Sequence, residues 1–401
     1  MRTLDYFGRF TCGALLLFVI ACSPPPPEAP APRKIPSQDV GSRALFGFKV
    51  ALSKDLIAVG APHARANDHR KAGAVLLFDR KTLALVRKVE SPDPSEGALF
   101  GFAIALRGDR LLVGSAGRTV DGVPVAGAAY LINVRTGLSV RRFVESPPHA
   151  KAEFGSAVGF IGEDPVIGSP SSDVQGHVNA GIAYRFSANT GELLLSYHLP
   201  TPEDHMALGQ VLTASGDTLL LGGPAAMMDG VAHAGAAFAF DANTGALKRR
   251  LLEPAAGEGS SFGASLATDG KFVVIGAPNA NHRAGRAYVL DLASGKVVAA
   301  LHDTANLEDG AMFGYSLALT DDGIIVGAPH DTVKGIPGAG AVYYFDRATR
   351  KFVARLAVRP VGGADFGIDV AGAGSEYVTG AQRGPKGGTA YISEDAPKEV
   401  P

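Results

Sequence analysis

Residues Phe262-Gly-Ala-Ser-Leu-Ala-Thr268, Asp269-Gly270 and Phe272-Val-Val-Ile-Gly-Ala-Pro278 read as strand, tight turn, strand. A polar loop, Asn279 to Ala284, follows. Gly285-Arg-Ala-Tyr-Val-Leu-Asp291, Ser294-Gly295 and Lys296-Val-Val-Ala-Ala-Leu301 then give another strand, turn and strand. β-Branched runs broken by Gly and Asp predict four short antiparallel strands. No stretch keeps a helical period. The same cassette opens at Phe46-Gly47, Phe100-Gly101, Phe154-Gly155, Leu208-Gly209, Phe262-Gly263, Phe313-Gly314 and Phe366-Gly367. The openings lie 54, 54, 54, 54, 51 and 53 residues apart. So regular a period makes one repeat body of nearly the whole 401-residue chain, against the two or three domains that length alone suggests.

Seven cassettes of four strands predict an all-β fold, a seven-bladed β-propeller. A solenoid is the competitor, but the chain ends are complementary. The seventh cassette stops at Gly388-Thr-Ala-Tyr-Ile392 and lacks a fourth strand. Arg33-Lys34-Ile35 stands at the same offset before Phe46 as Arg87-Lys88-Val89 before Phe100 and Arg141-Arg142-Phe143 before Phe154. An N-terminal strand is therefore expected to pair with Thr389 to Ser393 and close the ring, removing open edges. The third residue after each opening Phe falls on the innermost strand: Lys49, Ala103, Ala157, Val211, Ser265, Ser316 and Asp369. Its two charges have opposite sign and lie in blades one and seven. They are neighbours only in a closed ring, so Lys49 and Asp369 are expected to face each other at the seam.

The alternation of Phe-Gly with Val/Ile-Gly-Ala-Pro resembles the FG-GAP repeat of the integrin alpha-subunit head. The resemblance covers all seven cassettes. It implies a β-propeller that binds ligand on the face carrying the longer loops. Two departures stand out: Leu208 replaces one Phe, and Gly114-Ser-Ala116 and Gly380-Ala-Gln382 lack the Pro. Calcium loops of that family need several carboxylates on alternate residues, because a hard cation takes six to eight oxygens. Here the corresponding turns are short, as in Lys54-Asp55, Gly108-Asp109, Gly216-Asp217 and Asp321-Asp322-Gly323. No cofactor and no calcium is expected. Arg107-Gly108-Asp109 spells an adhesion tripeptide, but Gly-Asp recurs at such turns for conformational reasons.

The N-terminus reads as a targeting segment. Arg2 and Arg9 precede a short apolar run ending in Val19-Ile20-Ala21-Cys22, which resembles a bacterial lipobox. The resemblance implies a signal peptide over 1–21 and lipid on Cys22. The rest of 22–40, with Pro24 to Pro27, is a polyproline-II tether. The propeller is expected over 41–395, with a tail at 396–401. Ser23 after the lipidated Cys resembles the outer-membrane sorting pattern, so the expected location is the cell envelope, lipid-anchored at the outer membrane. With net charge −1 no nucleic-acid partner is expected.

Histidines His63, His69, His177, His233, His282 and His330 fall in loops between second and third strands, near Asp68, Asp173, Asp229 and Asp331; His205 lies in an interblade loop. They are candidate ligand-face residues. None has zinc-ligand spacing. No nucleophile elbow, phosphate loop or His-Glu-x-x-His is present, so no enzyme activity is expected. Arg87, Lys88, Arg141, Arg142, Arg249 and Arg250 read as charges that keep outer strand edges from pairing with other chains. Two functions stay open: a membrane-anchored binding module for a protein or glycan, or an envelope assembly scaffold resembling quinone-type-repeat propellers. Asp241-Ala-Asn-Thr-Gly245 is similar to the turn of the latter, whose usual Trp this chain lacks.

Overall fold

The computed structural model describes residues 32–37, 40–301, 307–358, 361–384 and 387–393. The expected signal peptide, Cys22, most of the tether and the tail lie outside the described residues. Seven four-stranded antiparallel sheets form seven blades. Blade one is built from Val50–Leu52, Leu56–Ala61, Ala74–Asp79 and Leu85–Glu90, innermost to outermost. Blade seven takes Phe366–Ala373, Glu376–Ala381 and Thr389–Ser393 from the C-terminal end and Arg33–Ile35 from the N-terminal end. The closing register is Arg33↔Ile392, Lys34↔Tyr391 and Ile35↔Ala390. Ile35 is fully buried, as Val89 and Phe143 nearly are at the same offset.

The core is split among the seams between blades. The seam of blades seven and one buries Ile35, Phe46, Val59, Phe78, Val378 and Ile392 in one cluster. The next seam packs Val75 and Leu77 against Phe100, Val113 and Tyr130. Burial on this scale stabilises by roughly 1.5–3 kcal/mol per large apolar side chain. Phe46, Phe100, Phe154, Phe262, Phe313 and Phe366 are all fully buried.

Both glycines of the cassette have a reason. The Gly of Gly-Ala-Pro lies against the carbonyl of the Phe-Gly glycine of the following blade. A Cβ at Gly60, Gly114, Gly168, Gly222, Gly276 or Gly327 would run into the carbonyl of Gly101, Gly155, Gly209, Gly263, Gly314 or Gly367. At the closing seam Gly380 stands in the same way against Gly47. The Phe-Gly glycines also hold φ near +90°, where an L side chain is strained. The motif is thus a contact between neighbouring blades, repeated seven times.

Outer-strand arginines do more than guard an edge. Arg87 Nη2 donates to Arg135 O (2.7 Å), Arg141 Nη2 to Asn189 O, and Arg249 to Ser294 O (3.0 Å) and Ala293 O (2.6 Å). Each clamps the turn between third and fourth strands of the next blade. The loop expected at Asn279–Ala284 contains a single helical turn, Ala280–Arg283, with Asn281 and His282 at positive φ.

Candidate functional face

Strand direction sends two sets of loops to one face of the disk. Loops from the second to the third strand emerge beside the loops that lead into the next blade. Five of the former carry a backbone bridge: Ala66↔His69, Val120↔Val123, Val174↔His177, Met228↔Val231 and Val333↔Ile336. The two sets are laced together. Gly97 N–H donates to Arg70 O, Lys151 to Pro124 O, His205 to Val178 O and Gly259 to Ala232 O, at 2.8 to 3.0 Å. These hydrogen bonds tie the two sets into one rim, and buried Val120, Val174, Met228 and Val333 anchor four of the bridged loops from beneath. The opposite face carries only short turns, joined across seams by pairs such as Arg80 Nε–Glu376 Oε2 (2.6 Å) and Arg347 Nη2–Asp269 Oδ2 (2.8 Å).

At the axis the residues two after the opening Phe surround a vestibule of about 460 Å³. Phe48, Phe102 and Tyr315 line one side, Glu153, Ser156 and Gln210 the other. The Phe48 and Phe102 rings lie 5.0 Å apart, and Tyr315 is 39% exposed. Lys49 and Asp369 belong to the same lining. Lys49 Nζ donates to Asp369 Oδ1 (2.9 Å), and Val50 N–H to Asp369 Oδ2 (2.8 Å). Burial pushes the Lys49 ammonium down, but the Asp369 charge and hydrogen bond outweigh it and hold its pKa above the ordinary value.

A second constellation was not foreseen from sequence. The third residue of the third strand is Tyr130, Tyr184, Tyr288 or Tyr343 in blades two, three, five and six. Each ring packs on the opening Phe of its own blade, with centroids 5.2 to 5.9 Å apart. Each hydroxyl donates to a carboxylate at the loop-rich end of the seam: Asp93 Oδ1 (2.7 Å), Glu145 Oε1 (2.6 Å), Glu253 Oε1 (3.0 Å) and Asp331 Oδ2 (2.6 Å). Burial, then the bond to Asp93, pushes the Tyr130 phenol up to about 12. Three of these carboxylates also meet a basic side chain: Asp93–Arg118 (2.7 Å), Glu145–His149 (3.1 Å) and Asp331–Arg355 (2.8 Å). Glu253 is the exception among the described residues, with no basic side chain within 4 Å; burial raises its pKa. The recurrence of Tyr at this position was visible in the repeats, but the acid each hydroxyl reaches comes from differing loop positions and depends on loop path.

Asp331 was expected among the ligand-facing residues. The structure instead buries it to 2% exposure and commits it to Tyr343 and Arg355, so it holds the loop rather than meeting a ligand. The other expected residues lie on the loop-rich face without converging. Asp68 is exposed, 3.7 Å from Arg65. His69 is exposed; His63 is half-buried, and burial, then the Lys71 charge, lowers its pKa. Asp173 Oδ1 accepts from Asn179 N–H (2.9 Å). His177 Nδ1 lies 3.1 Å from Asp204 and His330 Nε2 3.8 Å from Asp365, each joining two loops. Asp229, His233 and His282 are exposed at positive φ. Among the described residues no three His, Cys, Asp or Glu side chains gather as a metal site would require.

A family model described as FG-GAP repeat matches residues 32–78 and 301–345, which hold the closing strand with most of blade one, and most of blade six. No curated protein gives a significant match to the chain.

Proposed function

The chain is an FG-GAP-repeat β-propeller, and from that premise we propose that it is a membrane-anchored, extracytoplasmic interaction module that recognises a protein or glycan on its loop-rich face, without catalysis. The observation that carries this reading is the laced rim around the axial vestibule. A rim of loops tied to a rigid ring varies side chains without disturbing the fold, which is what a recognition surface needs. The seam tyrosines and carboxylates favour binding over chemistry, because they are buried and committed to one another. Support for the anchor is the Val19-Ile20-Ala21-Cys22 motif and the Pro-rich stretch behind it.

Two experiments test the reading. Metabolic labelling with palmitate should mark the wild-type chain and not Cys22→Ser; unlabelled wild type removes the anchor. Affinity capture from detergent-solubilised envelopes should then yield a partner. Its binding should be lost on reversing Asp173 and Asp229 on the loop-rich face, and kept on reversing Asp55 and Asp217 on the opposite face. The reverse pattern removes the loop-rich face. A single stoichiometric membrane partner would turn the module into an assembly scaffold.

A further inference from the structure

The face of short turns holds a site of its own. Between blades five and six lies a cleft of about 600 Å³. Its apolar wall is Phe272, Val274, Val289, Leu319 and Ile324. Two sequence departures meet at this seam, the first of them shared with blades three and six, where Leu195 and Ala354 hold the position. At four seams the outer strand carries an arginine, Arg33, Arg87, Arg141 or Arg249, that reaches the next blade's turn. In blade five the same position, paired with Val289, is Ala299. At the facing turn, where Gly137 and Gly295 pack under Arg87 and Arg249, blade six carries Arg350 instead. The comparable groove between blades two and three, beside Arg141's blade, is smaller, about 420 Å³.

Two cations are held at the mouth over one aromatic ring. Lys271 Nζ lies 4.9 Å and the Arg350 guanidinium carbon 4.7 Å from the Phe272 ring centre. Neither has a carboxylate within 4 Å among the described residues. The nearby acids are engaged elsewhere or stand outside. Asp269 pairs with Arg347, Asp346 accepts from Thr349 Oγ1 and N–H (2.6 Å each), Asp322 accepts from Thr320 Oγ1 (3.1 Å), and Asp291, which Lys271 influences from beyond 4 Å, accepts from Ser294 Oγ (2.6 Å) and N–H (2.8 Å). Asp321 is exposed at the edge.

We infer that this cleft binds a carboxylate carried on an apolar body, the body lying on Phe272 and the aliphatic wall, the carboxylate between Lys271 and Arg350. A guanidinium offers a carboxylate paired N–H donors, and a cation already stacked on an aromatic ring loses less freedom on binding. Both a free organic acid and the C-terminus of an apolar peptide supply this group.

Calorimetric titration of the full chain tests it, with 3-phenylpropanoate, its primary amide, and a Gly-Gly-Phe tripeptide with free or amidated C-terminus. The free acid or the free-ended peptide should saturate, and the matching amide should bind at least about tenfold more weakly. Tighter binding of the free-ended peptide assigns a chain end as the natural source; equal or tighter binding of the acid assigns a small molecule. Ala299→Arg supplies the residue that four other seams carry, narrows the cleft, and should abolish binding with an unchanged or higher Tm. Lys271→Gln, at an exposed position, should weaken it about tenfold even where the first variant folds poorly. No saturation up to about 10 mM, amides that bind as well as acids, or full affinity in a folded Ala299→Arg chain overturns the proposal.

Discussion

The seam between blades seven and one can be set against the other six. At each of those six the chain runs from one complete blade into the next. At the closing seam it runs into blade one only from the donated strand Arg33–Ile35, which no peptide links to the Thr389–Ser393 strand beside it. This seam repeats the glycine contact, with Gly380 against Gly47, and the bridge between Phe46 and Gly388. It then adds interactions of its own: the donated strand Arg33–Ile35, the Lys49–Asp369 pair and the bond from Val50 N–H to Asp369. A ring whose last blade is assembled from both chain ends needs its partner specified, and opposite charges at one seam do that even where desolvation cancels most of their attraction.

The largest expected effect probes the donated strand. Ile35→Ala should cost about 4 kcal/mol and the equivalent Leu301→Ala about 3 kcal/mol, because a strand loosened from blade seven has no neighbouring strand in sequence to hold it. Urea denaturation of the two variants measures this, and an equal or smaller loss at Ile35 breaks the contrast. Next comes the glycine contact. Gly380→Ala and Gly276→Ala should each cost about 2–3 kcal/mol by forcing two backbones apart. Gly380→Ala alone should also broaden the unfolding transition, since only there can the ring open.

Asp369→Asn keeps the shape but removes the charge, leaving Lys49 beside a neutral amide. We expect a loss of about 2 kcal/mol, with Lys49→Met costing less. A double-mutant cycle should give a coupling clearly above zero, and additivity would reduce the pair to two separate polar groups. The smallest effect concerns the converse case, Glu253, a seam carboxylate with no cation within 4 Å, on which Arg286 acts only from farther off. Its folded pKa lies above the unfolded one. Its contribution is therefore fully favourable below the unfolded value near 4.5 and is lost as pH rises through the folded value. At pH 7 Glu253→Gln should be as stable as wild type or more so, by under about 1 kcal/mol. That advantage should shrink as both are acidified toward pH 4; a gap constant with pH would show that Glu253 titrates normally.

The closing seam was also the most legible part of the sequence. Arg33-Lys34-Ile35 could be placed because its distance to Phe46 matched two other repeats, and the Thr389–Ser393 register follows from that distance. Loop-face residues were harder. Asp331 and Asp173 look alike in sequence, three and four residues past the second strand, yet Asp331 is buried under Arg355 while Asp173 is exposed. The one-residue offset separates them: Asp331 stands where blade three has buried Ser172, each donating its N–H to the carbonyl three residues back, and Asp173 lies one step farther along its loop. Arg355, where blade three has Ser196, then holds the Asp331 carboxylate.

Sequence alone determined the architecture, because a period of about fifty residues is a statement about identical units, and identical units admit few arrangements. It also determined the ring's closure, since the two ends hold complementary fragments of one unit. Tertiary structure decided which polar side chains remain free. Whether an acid meets water, a tyrosine or an arginine depends on contacts between residues distant in sequence, as in the Tyr130–Asp93, Tyr184–Glu145 and Tyr288–Glu253 pairs, or on different strands of a blade. It likewise decided where the ring leaves space, because a cleft such as that beside Phe272 exists only through what the neighbouring blade fails to fill.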